Sequence, residues 1–212
     1  TVLALCFGLT GVRFAIGGEW EKAVGAVILA AVLDGIDGRI ARLLKGTSRF
    51  GAELDSLSDV TAFGVAPTLI LYLWALQHLQ GRLGWVIALA QAIACALRLA
   101  RFNAQIDAVD QPHKRHGFMT GIPAPAGAGL TLLPLYVHFW LEPAVLADET
   151  SRASIVAVTT VIVAFLMVSS LPTPGWGWMR LRPSWRLPAL AAVGLFAGAL
   201  FTNPWPTLVL VC

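Results

Sequence analysis

The sequence has few charged residues and few residues that could form cross-links. Aspartate, glutamate, lysine and arginine make up 13% of its 212 residues, whereas soluble domains contain about 25%. This scarcity argues against a soluble globular protein. Only three cysteines are present, in apolar surroundings and without paired spacing, so the sequence predicts neither a disulfide framework nor a zinc site.

Long apolar runs take the place of the missing charge. Hydrophobic residues make up 57% of the chain, and several runs are long enough to cross a bilayer core of about 30 Å. The sequence therefore predicts an all-α, polytopic transmembrane helical bundle with seven spans, and the run from Thr207 is compatible with a truncated eighth. The predicted spans are Val2–Ile16, Ala23–Leu44, Phe50–Leu76, Leu83–Phe102, Phe118–Leu141, Ile155–Leu171 and Leu187–Thr202.

The whole chain is predicted to be one membrane-embedded domain, residues 1–212. No repeat and no low-complexity linker divides it. Both ends lie inside apolar runs, and the first residue is neither a methionine nor part of a signal-peptide pattern, so we expect both ends to be trimmed.

Positive charge is distributed unevenly among the predicted connections. The second, fourth and sixth connections carry eleven lysines and arginines, and the others carry three. Because cytoplasmic loops are rich in these residues, this pattern predicts that the second, fourth and sixth connections face the cytoplasm. The eleven are Arg39, Arg42, Lys45, Arg49, Arg98, Arg101, Lys114, Arg115, Arg180, Arg182 and Arg186, against Lys22, Arg82 and Arg152.

Four aspartates lie at or near membrane depth in the second and third predicted spans. Asp34 and Asp37 are about 60° apart on a helix, and Asp55 and Asp59 about 40° apart, so each pair shares one helical face. If the two helices are antiparallel neighbours, the four carboxylates converge and repel one another in a low dielectric. Ionisable residues at this depth usually face a cavity or a partner.

One or two bound divalent cations would relieve that repulsion. Ligation by oxygen alone favours Mg²⁺ or Mn²⁺ over zinc, and such a cluster indicates metal-assisted phosphoryl chemistry. Gly38 and Gly51 lie beside the two acidic faces, where they leave space for a nucleotide. Close helix packing is the alternative explanation for these glycines.

The spacing of these residues resembles the motif of the CDP-alcohol phosphotransferase family, D-x2-D-G-x2-A-R-x8-G-x3-D-x3-D. Every fixed position is matched. The resemblance implies transfer of a phosphatidyl-type group from a CDP-linked donor to an alcohol, with release of CMP. The matching residues are Asp34, Asp37, Gly38, Ala41, Arg42, Gly51, Asp55 and Asp59.

The family resemblance also implies roles for these residues. The four aspartates would bind two metal ions, Mg²⁺ or Mn²⁺, and Asp59 would in addition be the catalytic general base. The CDP-binding residues would be Asp37, Gly38, Ala41, Arg42 and Gly51, with Arg42 on a phosphate. The family further implies a homodimer in a membrane, here a bacterial inner membrane with the active site facing the cytoplasm, and no nucleic-acid partner.

Three flanking blocks are similar to those of bacterial membrane-bound phosphatidylserine synthases. They are GTSRFGAELDSLSDVTAFGVAP at 46–67, ALRLARFN at 96–103 and GIPAPAGAG at 121–129. This similarity implies CDP-diacylglycerol as donor and L-serine as acceptor, bound in a membrane lipid environment.

Serine carries a carboxylate, for which arginines one helical turn apart are suitable partners. Our candidate acceptor- or phosphate-binding residues are therefore Arg49, Arg98, Arg101 and Asn103. The alternative is that the arginines mark the cytoplasmic helix ends and meet anionic lipid headgroups. Glu53 lies off the face of Asp55 and Asp59, and its role stays open.

Two other functions stay open on the sequence alone. One is the same chemistry with another acceptor, such as glycerol-3-phosphate, inositol phosphate or choline. The other belongs to a different class, a cation transporter that uses intramembrane carboxylates. Transporters often have related halves, whereas these acids occur in one helix pair without a matching second set.

Overall fold

The computed structural model describes residues 1–43, 49–106, 118–120, 122–169, 172–174, 194–195, 198–200 and 202–212. Within these residues the chain is a bundle of α-helices, with one pair of three-residue strands. The predicted all-α class is therefore confirmed at the level of architecture.

Nine α-helices follow one another in the described part of the chain. Their bounds are α1 Val2–Ile16, α2 Trp20–Leu43, α3 Arg49–Asp59, α4 Ala66–Trp74, α5 Leu83–Ile106, α6 Ala124–Leu141, α7 Ala144–Ala147, α8 Glu149–Val168 and α9 Pro204–Val211. A π-helical segment, Val60–Val65, joins α3 to α4, and a 3₁₀ turn, Leu76–His78, follows α4. Strand β1 (Phe118–Thr120) pairs antiparallel with β2 (Pro172–Pro174).

Three stretches in the described part of the chain are long and apolar enough to cross a membrane. They are Phe50–Trp74, Leu83–Ala104 and Glu149–Val168, and the shorter α1 is also apolar. Large apolar side chains such as Phe165, which is 71% exposed, cover the outside of the bundle, as expected for an integral membrane protein. The predicted count of seven spans stays a prediction, because most of residues 187–202 lies outside the described residues.

Two predicted helix starts differ from the structure by six residues, both for local reasons. The run from Phe118 begins as β1, and α6 starts only at Ala124. Pro123 forces the residue before it into extended backbone, while Pro125 is tolerated in a first helical turn, where its missing N–H has no partner. The prediction of a helix over 118–123 was wrong.

The start of α8 was also placed too late, at Ile155 instead of Glu149. Asp148 caps this helix by accepting a hydrogen bond from the Ser151 backbone N–H at 2.9 Å. That hydrogen bond lowers the pKa of the Asp148 carboxyl. The polar first turn was missed because hydropathy, not capping, set the predicted boundary.

The third predicted span is one rod with a widened turn near its middle. The Ala66 backbone N–H bonds to the Thr61 carbonyl, five residues back, as in a π-helix. Pro67 explains this local change, because proline has no N–H and its ring would clash with the carbonyl four residues earlier. The widened turn follows directly after Asp59, and such insertions are frequent at functional sites.

Glycines and alanines allow the helices around the π segment to approach closely. A Cβ placed on Gly8 of α1 would lie 2.8 Å from the Ala62 Cα, and one on Gly64 would lie 2.9 Å from the Cys95 Cβ in α5. Ala62 and Cys95 are fully buried. Small residues therefore set the separation of α1 and α5 from the rod that carries Asp59.

The antiparallel order of the helices divides the bundle into two ends. One end, which we call the acidic end, contains the start of α1, the C-terminal part of α2, all of α3 and the C-terminal part of α5. The α1–α2 turn and the α4–α5 connection lie at the other end. Gly18 makes the first of these turns with a φ of 74°, a conformation that favours glycine.

Adding a methyl group at Gly8 or Gly64 should destabilise the bundle. Overpacking a closely packed core costs about 1–3 kcal/mol, and each kcal/mol lowers the melting temperature by roughly 2–4 °C in a chain of this size. We expect Gly8→Ala and Gly64→Ala to show this decrease when unfolding of the purified protein is followed in detergent.

Gly25→Ala is the matched control for these two variants. A Cβ at Gly25 of α2 would meet no atom within 4 Å, and alanine favours a helix more than glycine does. The control should therefore unfold at the wild-type temperature or above it. If Gly8→Ala and Gly64→Ala behave like the control, close approach at these glycines does not hold the bundle together.

Candidate functional site

Three of the four predicted aspartates come together at the acidic end. Asp34 from α2 and Asp55 and Asp59 from α3 each offer a carboxylate oxygen, and these oxygens lie within 4.8 Å of one another. All three side chains are partly buried. The helical spacing of each pair therefore brings residues 25 positions apart in the chain to a single point.

Asp37 lies one turn beyond Asp34 on α2 but is not a member of this three-residue cluster. Its carboxylate lies next to the backbone nitrogen of Thr1. The Thr1 hydroxyl also donates a hydrogen bond of 2.9 Å to Asp55 Oδ1. The start of α1 therefore lies against the acidic residues of both α2 and α3.

The donor set of this cluster fits a hard divalent cation. It consists of carboxylate oxygens only, the ligands that Mg²⁺ and Mn²⁺ prefer. Three such groups in partly buried positions repel one another, and a cation between them would remove that repulsion. The spacing of the oxygens, within 4.8 Å, is compatible with shared ligation of one ion.

The described residues leave open space at Gly38, next to Asp37 on α2. A Cβ at this position would meet no heavy atom within 4 Å, so the α2 backbone borders an open region next to Asp37. Gly51 is half-buried in the first turn of α3. The side chains of Ala41, Arg42 and Arg49, also predicted to be part of the site, lie outside the described residues.

Among the described cations, Arg98 on α5 interacts electrostatically with the Asp59 carboxylate. Its side chain is partly buried, and its Nε is shielded from solvent with no hydrogen-bond partner in the described part of the chain. Arg98 therefore presents a donor and a positive charge beside Asp59.

Arg101 and Asn103 lie further along α5 and have partners. Arg101 is exposed, and its Nη1 donates a 2.9 Å hydrogen bond to the Val168 carbonyl, the last residue of α8. A cation at a helix C-terminus is favourable. Asn103 Nδ2 donates to Ser56 Oγ at 2.8 Å, across the gap between α5 and α3.

Two serines of α3 belong to this site and were not predicted. Ser56 is the partner of Asn103, and Ser58 is 2% exposed with a hydroxyl that has no hydrogen-bond partner among the described residues. Both lie inside the acidic motif, between Asp55 and Asp59, and this position was the available signal. Glu53 is exposed and lies outside the cluster.

A separate groove of about 260 Å³ lies at the other end of the bundle, between α4 and α5. Its lining contains no carboxylate and one cation, Arg82. It therefore lacks the groups needed for phosphoryl chemistry, and we place the functional site at the acidic end. The lining residues are Tyr72, Leu76, Gln77, Gly81, Arg82, Gly84 and Trp85.

Several curated proteins with similar sequences carry the name CDP-diacylglycerol–serine O-phosphatidyltransferase. The protein of that name from Mycobacterium tuberculosis is 38% identical over 211 residues, which cover 97% of this chain and 70% of the relative. The one from Helicobacter pylori is 34% identical over 208 residues, covering 96% and 80%. The one from Methanocaldococcus jannaschii is 33% identical over 149 residues, covering 70% and 61%.

Family models agree with these relatives. The model described as CDP-alcohol phosphatidyltransferase matches residues 1–168, which include α1 to α8 and every residue of the acidic cluster. A second, described as CDP-alcohol phosphatidyltransferase 2, matches residues 184–212. Since the match covers the aspartates that the fold brings together, the resemblance seen in the sequence is confirmed, and the chain belongs to the CDP-alcohol phosphatidyltransferase family.

Proposed function

We propose that this enzyme transfers the phosphatidyl group of CDP-diacylglycerol to the hydroxyl of L-serine, giving phosphatidylserine and CMP. The observation that carries the proposal is the convergence of Asp34, Asp55 and Asp59 in a chain that is 38% identical to a relative named for this reaction. An all-carboxylate cluster at a membrane-embedded helix pair suits a charged phosphate donor attached to lipid chains.

Asp34, Asp55 and Asp59 would hold Mg²⁺ or Mn²⁺, with Asp37 as the expected fourth ligand in a two-ion site. The bound cations would neutralise charge on the donor diphosphate and on the departing CMP. The close contact of the three carboxylates supports this assignment, because without a counter-charge they destabilise one another.

Asp59 is the proposed general base. It would accept the proton of the acceptor hydroxyl while the acceptor oxygen forms a bond to the phosphorus of the phosphatidyl group. The bond between that phosphorus and the oxygen of CMP breaks, and CMP leaves with the electron pair. The position of Asp59 supports this role, since it faces both the cluster and the Arg98 cation.

The CDP part of the donor is proposed to lie along α2 and the start of α3, against Asp37, Gly38, Ala41, Arg42 and Gly51. The open region beside Gly38 supports this placement, because a nucleotide could contact the backbone there. The two acyl chains of the donor would remain in the surrounding lipid, next to the apolar outer surface of the bundle.

The serine carboxylate is proposed to meet Arg98 first. Its Nε is buried and has no hydrogen-bond partner in the described part of the chain, and its guanidinium interacts electrostatically with Asp59, the proposed base. Arg101 has further N–H donors besides the one bonded to Val168, and Arg49 remains a further expected contact.

The protein is proposed to lie in a bacterial inner membrane with this site facing the cytoplasm. The excess of basic residues at this end supports that orientation.

The acceptor can be tested directly on purified protein. Given CDP-diacylglycerol and Mg²⁺ or Mn²⁺, the enzyme should release CMP in the presence of L-serine. Glycerol-3-phosphate, inositol phosphate and choline should give little release. Release with one of these alcohols and not with serine would contradict the serine assignment, and no release with any alcohol from folded, metal-binding protein would contradict the enzyme itself.

Asp59→Asn should reduce turnover by about 10²- to 10⁴-fold, the usual contribution of a general base. The donor should still bind, because its proposed contacts lie on α2 and at the start of α3. The measurement is CMP release alongside binding of a CDP-diacylglycerol analogue.

Glu53→Gln provides the control on the same helix, since Glu53 is exposed and outside the cluster. It should retain wild-type turnover within about twofold, because substitutions of exposed side chains outside the site usually have small effects. Retained turnover in Asp59→Asn would remove Asp59 from the role of base.

A further inference from the structure

Ser56 and Asn103 form a polar connection between α3 and α5 next to the acidic cluster. Asn103 Nδ2 donates to Ser56 Oγ at 2.8 Å. Ser56 Oγ in turn donates to the Ala52 carbonyl, one turn earlier in α3, at 3.1 Å. The two hydrogen bonds connect the α5 side chain to the backbone of the helix that carries Asp55 and Asp59.

The direction of these hydrogen bonds follows from the number of protons available. A serine hydroxyl has one proton, and in this structure the proton goes to the Ala52 carbonyl. Ser56 Oγ can then only accept from Asn103, so the amide group of Asn103 must turn its NH₂ toward α3. This requirement fixes the orientation of the Asn103 side chain.

Apolar packing does not fix the position of α3. No residue of α3 belongs to either buried apolar cluster of the described bundle, and the packed part of the rod begins at Val60. Two large apolar side chains of α3 point outward, with Phe50 77% exposed and Leu57 65% exposed, while Leu54 is half-buried. Its rotation about its own axis is set at one end by its continuity with the packed rod that begins at Val60, and along its length polar contacts add to this restraint.

Ser56 is well placed to control that rotation. It follows Asp55 directly and precedes Asp59 by three residues, which places it about 100° and 60° from these residues around the helix. Groups that act together in a site must be held within about 0.5 Å and 10–20° of their working geometry. A cross-helix hydrogen bond at Ser56 restrains both aspartates at once.

We propose that Ser56 and Asn103 are a positioning pair, whose hydrogen bond holds α3 in the rotation that faces Asp55 and Asp59 toward Asp34. The inference rests on the proposed function and deepens it, because it concerns the same site. It gives Asn103 a role through Ser56, instead of the direct acceptor contact predicted from the sequence.

The test compares Ser56→Ala, Asn103→Ala and the double variant with wild type. We expect kcat for serine-dependent CMP release to fall about tenfold in each single variant, which corresponds to about 1.4 kcal/mol. Because the residues act as one unit, the double variant should fall no more than about twofold further. The apparent KM for serine should stay within about twofold of wild type.

A second measurement does not depend on turnover. Mn²⁺ should raise the unfolding temperature of the wild type, because it binds the folded cluster. All three variants should need about tenfold more Mn²⁺ for the same increase, since misaligned aspartates bind it less well. Ser56→Thr keeps a hydroxyl, and it should restore both kcat and the Mn²⁺ response toward wild type.

Ser154→Ala is the matched control. Ser154 Oγ donates to the carbonyl four residues earlier, Thr150, as Ser56 does, but the described structure gives it no cross-helix partner. This variant should behave like wild type in both measurements. A loss in Ser154→Ala equal to that in Ser56→Ala would show that any missing helix hydroxyl has the same effect, and would overturn the proposal.

Two other results would also overturn it. An Asn103→Ala variant with a raised KM for serine, beside a Ser56→Ala variant that resembles wild type, would make Asn103 an acceptor contact. Fully additive losses would show that the residues act separately. If wild-type protein uses another alcohol, the serine assignment fails, while the Mn²⁺ measurement still decides whether the pair positions the aspartates.

Discussion

The repulsion among three carboxylates gathered inside a membrane protein is the constraint on which the rest of this structure depends. Asp34, Asp55 and Asp59 lie on two different helices and bring carboxylate oxygens within 4.8 Å of one another. Such an arrangement is unfavourable unless a cation or a bound substrate compensates it. The bundle must therefore hold α2 and α3 together against an electrostatic force that separates them.

The described packing shows how the bundle does so. Close contacts at Gly8 and Gly64 fix the π segment between α1 and α5, directly after Asp59. Beyond that segment apolar packing stops, and polar contacts take over, from Asn103 on one side and from Thr1 on the other. Apolar packing of this rod thus ends where its charged groups begin, and hydrogen bonds connect α3 to α5 and α1.

Local patterns in the sequence predicted much of this arrangement. The bounds of α1 were correct because its apolar run stops at the Gly17–Gly18 turn. Helical spacing, together with the assumption that the two helices are antiparallel neighbours, predicted that four aspartates converge, and three of them do. The bond from Asn103 to Ser56 spans 47 positions, and no local pattern encodes such a contact. Proline at 123 and the cap at Asp148 overrode hydropathy at two helix starts. The predicted homodimer and the side chains of Arg42 and Arg49 lie beyond what the described residues test.

The central claim is that α2 and α3 contribute ligands to one divalent cation site. Electron paramagnetic resonance of Mn²⁺, titrated into purified wild-type protein and into Asp34→Asn, tests it most directly. Asp34 is the only member of the described cluster on α2, so its loss should weaken Mn²⁺ binding by about tenfold or more while the protein stays folded. Unchanged Mn²⁺ binding in a folded Asp34→Asn variant would contradict the account.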